Sequence, residues 1–195
     1  MRGANMASDI RASPLSSPAG TLWLTGLPGA GKTTIAHRAL SELRGSGRPA
    51  CVLDGDLLRE GLSSDLGFSR ADRGEQARRA AHVATMFSEA GVVAIVALVS
   101  PYAEDRAMAR QIHARLSLPF FEVWVATPQE ICQQRDRRGL YAQARRGEIS
   151  GLTGVDAPYE EPQAPDLRIH SQAEDPGGLA QRLIELLPAR PSPEP

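Results

Sequence analysis

Lys32 and Thr33 close the run Gly26-Leu27-Pro28-Gly29-Ala30-Gly31, and Thr34 follows them. The spacing is that of a phosphate-binding loop, G-x-x-x-x-G-K-[ST], with an extra glycine at position 29. Glycines let consecutive backbone N–H groups turn inward around phosphate oxygens, and a following helix adds its positive end. In such a loop Lys32 reaches the β- and γ-phosphates of a nucleotide, and the Thr33 hydroxyl holds Mg2+. A second set of reactive groups lies at Asp54-Gly55-Asp56, with Arg59 one helical turn further on. Two carboxylates beside a magnesium-nucleotide site can divide the work: one holds the ion, one accepts the proton of an attacking hydroxyl. A plain turn whose Asp residues cap the next helix is the competing reading of this segment. Ser100, before Pro101, is either a third contributor or a simple Ser-Pro turn.

These residues need a scaffold that brings them together, and the hydrophobic pattern supplies one. Short apolar runs at Thr21–Thr25, Ala50–Asp54, Val92–Val99, Phe120–Val125 and Leu167–His170 read as strands. Helical stretches alternate with them: Thr33–Leu43, Asp72–Ala90 with Asp72 as N-cap, Tyr102–Arg115, Pro128–Arg135 opened by Thr127, and a closing helix to about Leu187. The all-apolar run Val92–Val99 suits a strand buried on both faces. The alternation predicts an α/β fold of three layers, α/β/α, with a central parallel sheet of about five strands. Ligands then bind at the carboxyl ends of the strands. Three strand ends deliver the loop, Asp54 with Asp56, and Val99-Ser100 to that one edge.

At 195 residues the chain fits one domain, expected over 21–187, with loose Pro-, Ser- and Ala-rich tails at 1–20 and 188–195. A net charge of −1 argues against a nucleic-acid groove or a membrane patch. Cys51 and Cys132 have no metal-ligand spacing and read as reduced thiols. With no secretory or membrane-spanning run, a cytoplasmic protein is expected. Arginines follow the strand ends at positions 59, 70, 73, 78, 79 and 106, and again at 135, 137, 138, 145 and 146 around the Gly-rich stretch 139–154. Guanidinium forks suit phosphate and sulfate oxygens. The second group predicts a mobile lid over about 137–158. For Arg78, Arg79, Arg145 and Arg146, pairing with Glu75, Glu89 and Glu148 on a solvated face is the expected role.

The segments GLPGAGKTT, LDGDLLREGLSSDLGFSRADRGEQARR, VSPYAEDR, RDRRGLYAQARRGEISGLTGVDAPYE and APDL, in this order, resemble the adenylylsulfate (APS) kinases, a family of P-loop NTPase fold. The resemblance covers about Thr21 to His170. It implies transfer of the ATP γ-phosphoryl group, with Mg2+, to the ribose 3′-hydroxyl of adenosine 5′-phosphosulfate. The product is 3′-phosphoadenosine 5′-phosphosulfate (PAPS). It further implies catalytic roles for Lys32, Asp54, Asp56 and Arg138, and a metal set of Thr33 with Asp54. Nucleotide contacts fall on residues 26–34 and Arg135. Substrate contacts fall on Asp56, Arg59, Phe68, Arg73, Gln76, Val99, Ser100, Arg138, Leu152 and Thr153, with Phe68 stacking on the adenine. A homodimer and a functional link to an ATP sulfurylase belong to the same expectation.

The chain departs from the family pattern at five positions. Leu57 and Gln76 stand where the family has Asn, Arg138 where it has Lys, Leu152 where it has Phe, and Ala126 where many members carry Asp. Four of the five surround the acceptor and none lies in the phosphate loop. Two further readings therefore stay open at the level of sequence. One is a related kinase acting on another nucleotide, such as a cytidine diphosphate derivative. The other is a catalytically silent nucleotide-binding switch or subunit.

Overall fold

The computed structural model describes residues 19–136, 138–172 and 175–189. Most of both expected tails, and Arg137, lie outside the described residues. Five strands form one sheet: β1 Thr21–Thr25, β2 Ala50–Asp54, β3 Val93–Ala97, β4 Phe120–Val125 and β5 Leu167–Ile169. The sheet order is β2-β3-β1-β4-β5, and every pairing is parallel. Residue side chains alternate across each strand. Leu22, Leu24, Val93, Ile95 and Ala97 enter one core, and Trp23, Ala94 and Val96 enter the other. Both faces of the central strands are thus apolar, as the run at 92–99 predicts. That strand is shorter than its hydrophobic stretch, because Leu98 and Val99 leave the ladder to form the edge at which Ser100 sits.

Seven helices complete the described residues: α1 Lys32–Gly45, α2 Gly55–Glu60, α3 Arg70–Glu89, α4 Ala103–Ala114, α5 Gln129–Gln134, α6 Leu140–Arg145 and α7 Pro176–Glu185. Helices α1 and α7 pack on the first core, and α3 and α4 on the second. Ala77, Ala80, Ala81 and Ala84 recur at helical spacing and bring α3 close to the sheet. Two expected helix starts differ. The N-cap of α3 is Ser69, while Asp72 is its partner in a capping box. Thr127 does not cap α5; its hydroxyl donates instead to the Ala30 carbonyl at 2.9 Å. Helices α2 and α6 are too short for a sequence period to reveal.

His113 is fully buried on α4. Its Nδ1 lies 2.8 Å from the Ala109 carbonyl and its Nε2 2.9 Å from the Thr21 hydroxyl. A carbonyl only accepts, so Nδ1 carries the hydrogen, and a bare Nε2 accepts from Thr21. Burial pushes its pKa below the usual histidine value. The unfolded chain then binds a proton that the folded one refuses, so stability is complete above about pH 6.5 and falls as the pH drops below it. We expect the thermal midpoint to decline between about pH 6.5 and pH 5, and His113→Gln to flatten that decline. An unchanged slope in the variant would assign the effect to other groups.

Candidate active site

The phosphate loop is built from β1 into α1. Gly29 has φ +79°, and a Cβ there would stand 2.7 Å from the Cys132 carbonyl oxygen, so only glycine fits. Gly31 precedes α1 in the left-handed region, and the helix has neither a side-chain cap nor an acidic residue in its first turn. Its N-terminal end is left to whatever anion the loop receives. Lys32 is buried, and its ammonium donates to the Gly26 and Leu27 carbonyls at 2.8 and 2.9 Å. Burial lowers its pKa to about 8, against the smaller opposing pull of Cys132, Asp54 and Asp56.

The loop is braced from several sides. Tyr141 of α6 donates to the Pro28 carbonyl at 2.9 Å, and Thr127 bridges Ala30 and the Ser171 hydroxyl. Leu27, Tyr141 and Leu152 share one apolar cluster, and Gly154 packs so closely on Leu27 that a Cβ would lie 2.9 Å from its methyl group. Gln129 also donates to the Gly154 carbonyl. None of Tyr141, Thr127, Gln129 and Ser171 was expected at the site. Polar side chains flanking a glycine-rich segment are the signal they carry in sequence. Among the expected loop residues, Thr33 and Thr34 are exposed at the mouth. Arg135 is exposed nearby and donates to the Ser171 hydroxyl at 2.6 Å.

The capping reading of the acidic turn is seen at α2, and Asp54 also reaches the phosphate loop. Asp54 Oδ1 accepts from the Asp56 backbone N–H and caps α2, while its Oδ2 accepts from the Thr33 hydroxyl at 2.7 Å. Asp54 is buried and Asp56 is exposed. Asp56 is instead paired with Arg138 at 2.7 Å, in a bridge whose two side chains are 63% and 60% exposed. So exposed a pair contributes little, of order 0–1 kcal/mol, and opens readily.

Arg59 and Arg73 form an aromatic-cation cluster with Phe68. The guanidinium of Arg59 lies 4.3 Å from the centre of the exposed Phe68 ring, and that of Arg73 lies 5.6 Å from it. Arg59 also donates to the Leu66 and Gly67 carbonyls and to the side chain of Gln76, which in turn holds the Gly55 carbonyl at 3.0 Å. Arg73 donates to the Gly151 carbonyl at 2.7 Å. Burial lowers the Arg59 pKa, and the neighbouring Arg73 charge adds to the shift. Two cations pressed together make a site for an anion.

The remaining expected positions separate. Ser100 is buried with φ 41°, rare for a residue with a side chain, and its hydroxyl accepts from the Trp23 indole at 3.2 Å. The Val99 carbonyl accepts from Thr25 at 2.7 Å. Leu152 is 8% exposed, and the fully buried Thr153 hydroxyl has no hydrogen-bond partner. Two arginines expected near anions are structural. Arg106 is buried against Glu122 at 2.6 Å, and Arg70 binds Asp105 while lying 4.0 Å from the Tyr102 ring centre. Arg78 and Arg79 pair with Glu75, and Arg146 with Glu148, as expected; Arg145 donates to Gln133. Among the described residues, the segment expected to form a lid contains α6 and an isolated bridge between Thr153 and Ala157.

Residues 18–170 match the family described as Adenylylsulphate kinase. The chain belongs to that family. It is 47% identical over 166 residues to a probable adenylyl-sulfate kinase of Bacillus subtilis, covering 85% of this chain and 83% of that protein. It is 48% identical over 167 residues to the bifunctional enzyme CysN/CysC of Mycobacterium tuberculosis, covering 86% of this chain. The chain spans 27% of the length of that bifunctional relative. A solved structure of the Mycobacterium tuberculosis APS kinase CysC, in complex with AMPPNP and APS, superposes with a TM-score of 0.85 at 47% identity. The match covers 87% of this chain and 98% of that one. The family match fits the five-stranded parallel sheet of a P-loop kinase. No described helix is long and apolar enough to cross a membrane.

A lysine with a pKa near 8 titrates in an accessible range. Nucleotide phosphates favour its ammonium form, so the affinity of the free protein for ADP is expected to weaken as the pH rises through about 8. Calorimetric titration between pH 7 and 9 measures this; a flat profile would show that Lys32 stays charged throughout.

Proposed function

We propose that this protein phosphorylates adenosine 5′-phosphosulfate at its ribose 3′-hydroxyl with ATP, yielding PAPS and ADP. The observation that carries the reading is a phosphate loop joined through Thr33 to Asp54, with Arg59 over Phe68 linked to the same turn through Gln76. The APS kinase complex named above, with AMPPNP and APS, has the same fold at 47% identity. A single phosphate site would serve many nucleotides. A second cationic site beside an exposed aromatic ring fits an acceptor that is both a base and a polyanion.

The roles divide by burial. Asp56, exposed at the start of α2, is the carboxylate able to take the proton of an entering hydroxyl. Asp54 is fixed by its bonds to Thr33 and to the Asp56 backbone, and it orients the metal side. Thr33 and Asp54 offer hard oxygen atoms, and the described residues form no cluster of three or more acidic, His or Cys ligands. That set fits Mg2+, which keeps several waters and shares phosphate oxygens. When bound, the ion neutralises charge on the phosphates. Lys32 exchanges its two loop carbonyls for phosphate oxygens and holds the transferring group. Arg138, released from Asp56, brings a second cation to the developing charge and frees the carboxylate for the hydroxyl. Arg59 and Arg73 bind the phosphosulfate, and Phe68 offers one face to the adenine. Gln76 supports Arg59 from behind, and Leu152 with Thr153 closes the apolar side. Val99 and Ser100 line the floor.

The same reading includes ATP as co-substrate, a cytoplasmic setting, a homodimer, and a sulfurylase as the supplier of substrate; light scattering tests the dimer. The central test is ADP release from Mg·ATP with APS, AMP or a cytidine diphosphate compound as acceptor. Strong selective stimulation by APS, with PAPS formed, is expected. Turnover on another nucleotide alone would overturn the assignment. Lys32→Ala should lower kcat by about a hundredfold or more with the thermal midpoint retained, and near-native turnover would remove Lys32 from the mechanism. Leu152→Phe enlarges a side chain already in the core. It should tighten APS binding only by displacing neighbours, at a stability cost of about 1–3 kcal/mol.

A further inference from the structure

The segment that returns from the lid meets the sheet edge at Tyr159 and Glu160, and neither residue has a place in the mechanism above. Tyr159 Oη lies 3.0 Å from the hydroxyl of Thr25, the residue that immediately precedes the phosphate loop. Thr25 already donates to the Val99 carbonyl, so the phenol is the donor in this pair. Burial pushes the Tyr159 pKa up to about 12, which keeps that proton in place. Glu160 is gripped on three sides. Its N–H donates to the Pro101 carbonyl at 2.8 Å, and its carboxylate accepts from the Ala103 N–H at the start of α4 at 2.7 Å. Its carbonyl accepts from Arg106 at 2.8 Å.

Arg106 ties this junction to the floor of the site. One nitrogen binds Glu122, a second binds the Glu160 carbonyl, and a third donates to the Ser100 carbonyl at 2.8 Å. Ser100 is the residue held at φ 41°. A guanidinium whose three nitrogens each serve a different segment fixes their relative positions in a way an ammonium cannot reproduce. Leu152 and Thr153 lie only six or seven residues before Tyr159 along the chain, so their approach to the acceptor is referred to this anchor.

We propose that Tyr159 and Arg106 are positioning residues that pin the returning end of the lid to the sheet edge and thereby place the acceptor-side residues Ser100, Leu152 and Thr153. The proposal rests on the lid acting on an acceptor, as in the function proposed above, but the anchoring itself does not depend on which acceptor that is.

Two readouts on Tyr159→Phe, with Arg106→Lys as a second variant, test it. The first is limited trypsin digestion of the nucleotide-free protein, followed at Arg145 and Arg146. Cleavage there should rise about fivefold in Tyr159→Phe, with the rest of the chain as resistant as in the parent protein. The second is steady-state kinetics, in which KM for APS should rise about fivefold while KM for ATP stays within about twofold. Unchanged cleavage would overturn the proposal. So would faster cleavage throughout the chain, which marks general loss of stability, or equal rises in both KM values. If the parent protein shows no APS-dependent turnover, the functional reading falls, and the trypsin result alone decides the anchor.

Discussion

A buried ammonium must find acceptors, and the way Lys32 finds them organises the site. It bonds to two carbonyls of its own loop. The loop can present those carbonyls only because its glycines take conformations closed to other residues, and because Gly29 lies flat on the Cys132 backbone. The glycine spacing, the packing of α5 and the depressed lysine pKa are therefore one arrangement. On the function proposed above, phosphate oxygens would take the place of those carbonyls as acceptors for the same ammonium.

The second half of the site follows a similar logic with the opposite sign. Arg59 and Arg73 are held together over Phe68 by backbone carbonyls from the loop before α3 and from Gly151. The mutual repulsion is sustained by the fold and relieved by an anion. Asp56 and Arg138 form the loosest contact in the centre, exposed and easily parted. On the function proposed above, the firmly held groups bind, and the exposed pair takes part in proton and phosphoryl movement.

Much of this was legible in the sequence. Four of the five strands were expected to within one residue at each end, since apolar runs bounded by turns carry a clear period. The phosphate loop and the Asp54–Asp56 turn were also plain, because their chemistry depends on residue types close together in the chain. What could not be read depends on distant partners. Arg106 looked like an anion ligand, and only the fold shows Glu122 beneath it. Asp72 looked like a helix cap, yet Ser69 takes that place and Asp72 completes the box. The segment read as a mobile lid hides α6, whose six residues lie among glycines and arginines; the equally short α5 was legible because a Thr-Pro pair opens it. The family resemblance points to Gln76 as a substrate contact, but it does not foretell that the side chain is bonded to Arg59 and to the Gly55 carbonyl.

The contact of Gly154 and Tyr141 with Leu27 and Pro28 has a mechanical consequence. A lid hung from an independent hinge would open and shut without regard to the nucleotide. This one rests on the loop itself, through one hydroxyl and a patch of methyl groups. Tyr141 and Gly154 thus hold α6 and the loop backbone in one register, so neither can shift without straining the contact with the other.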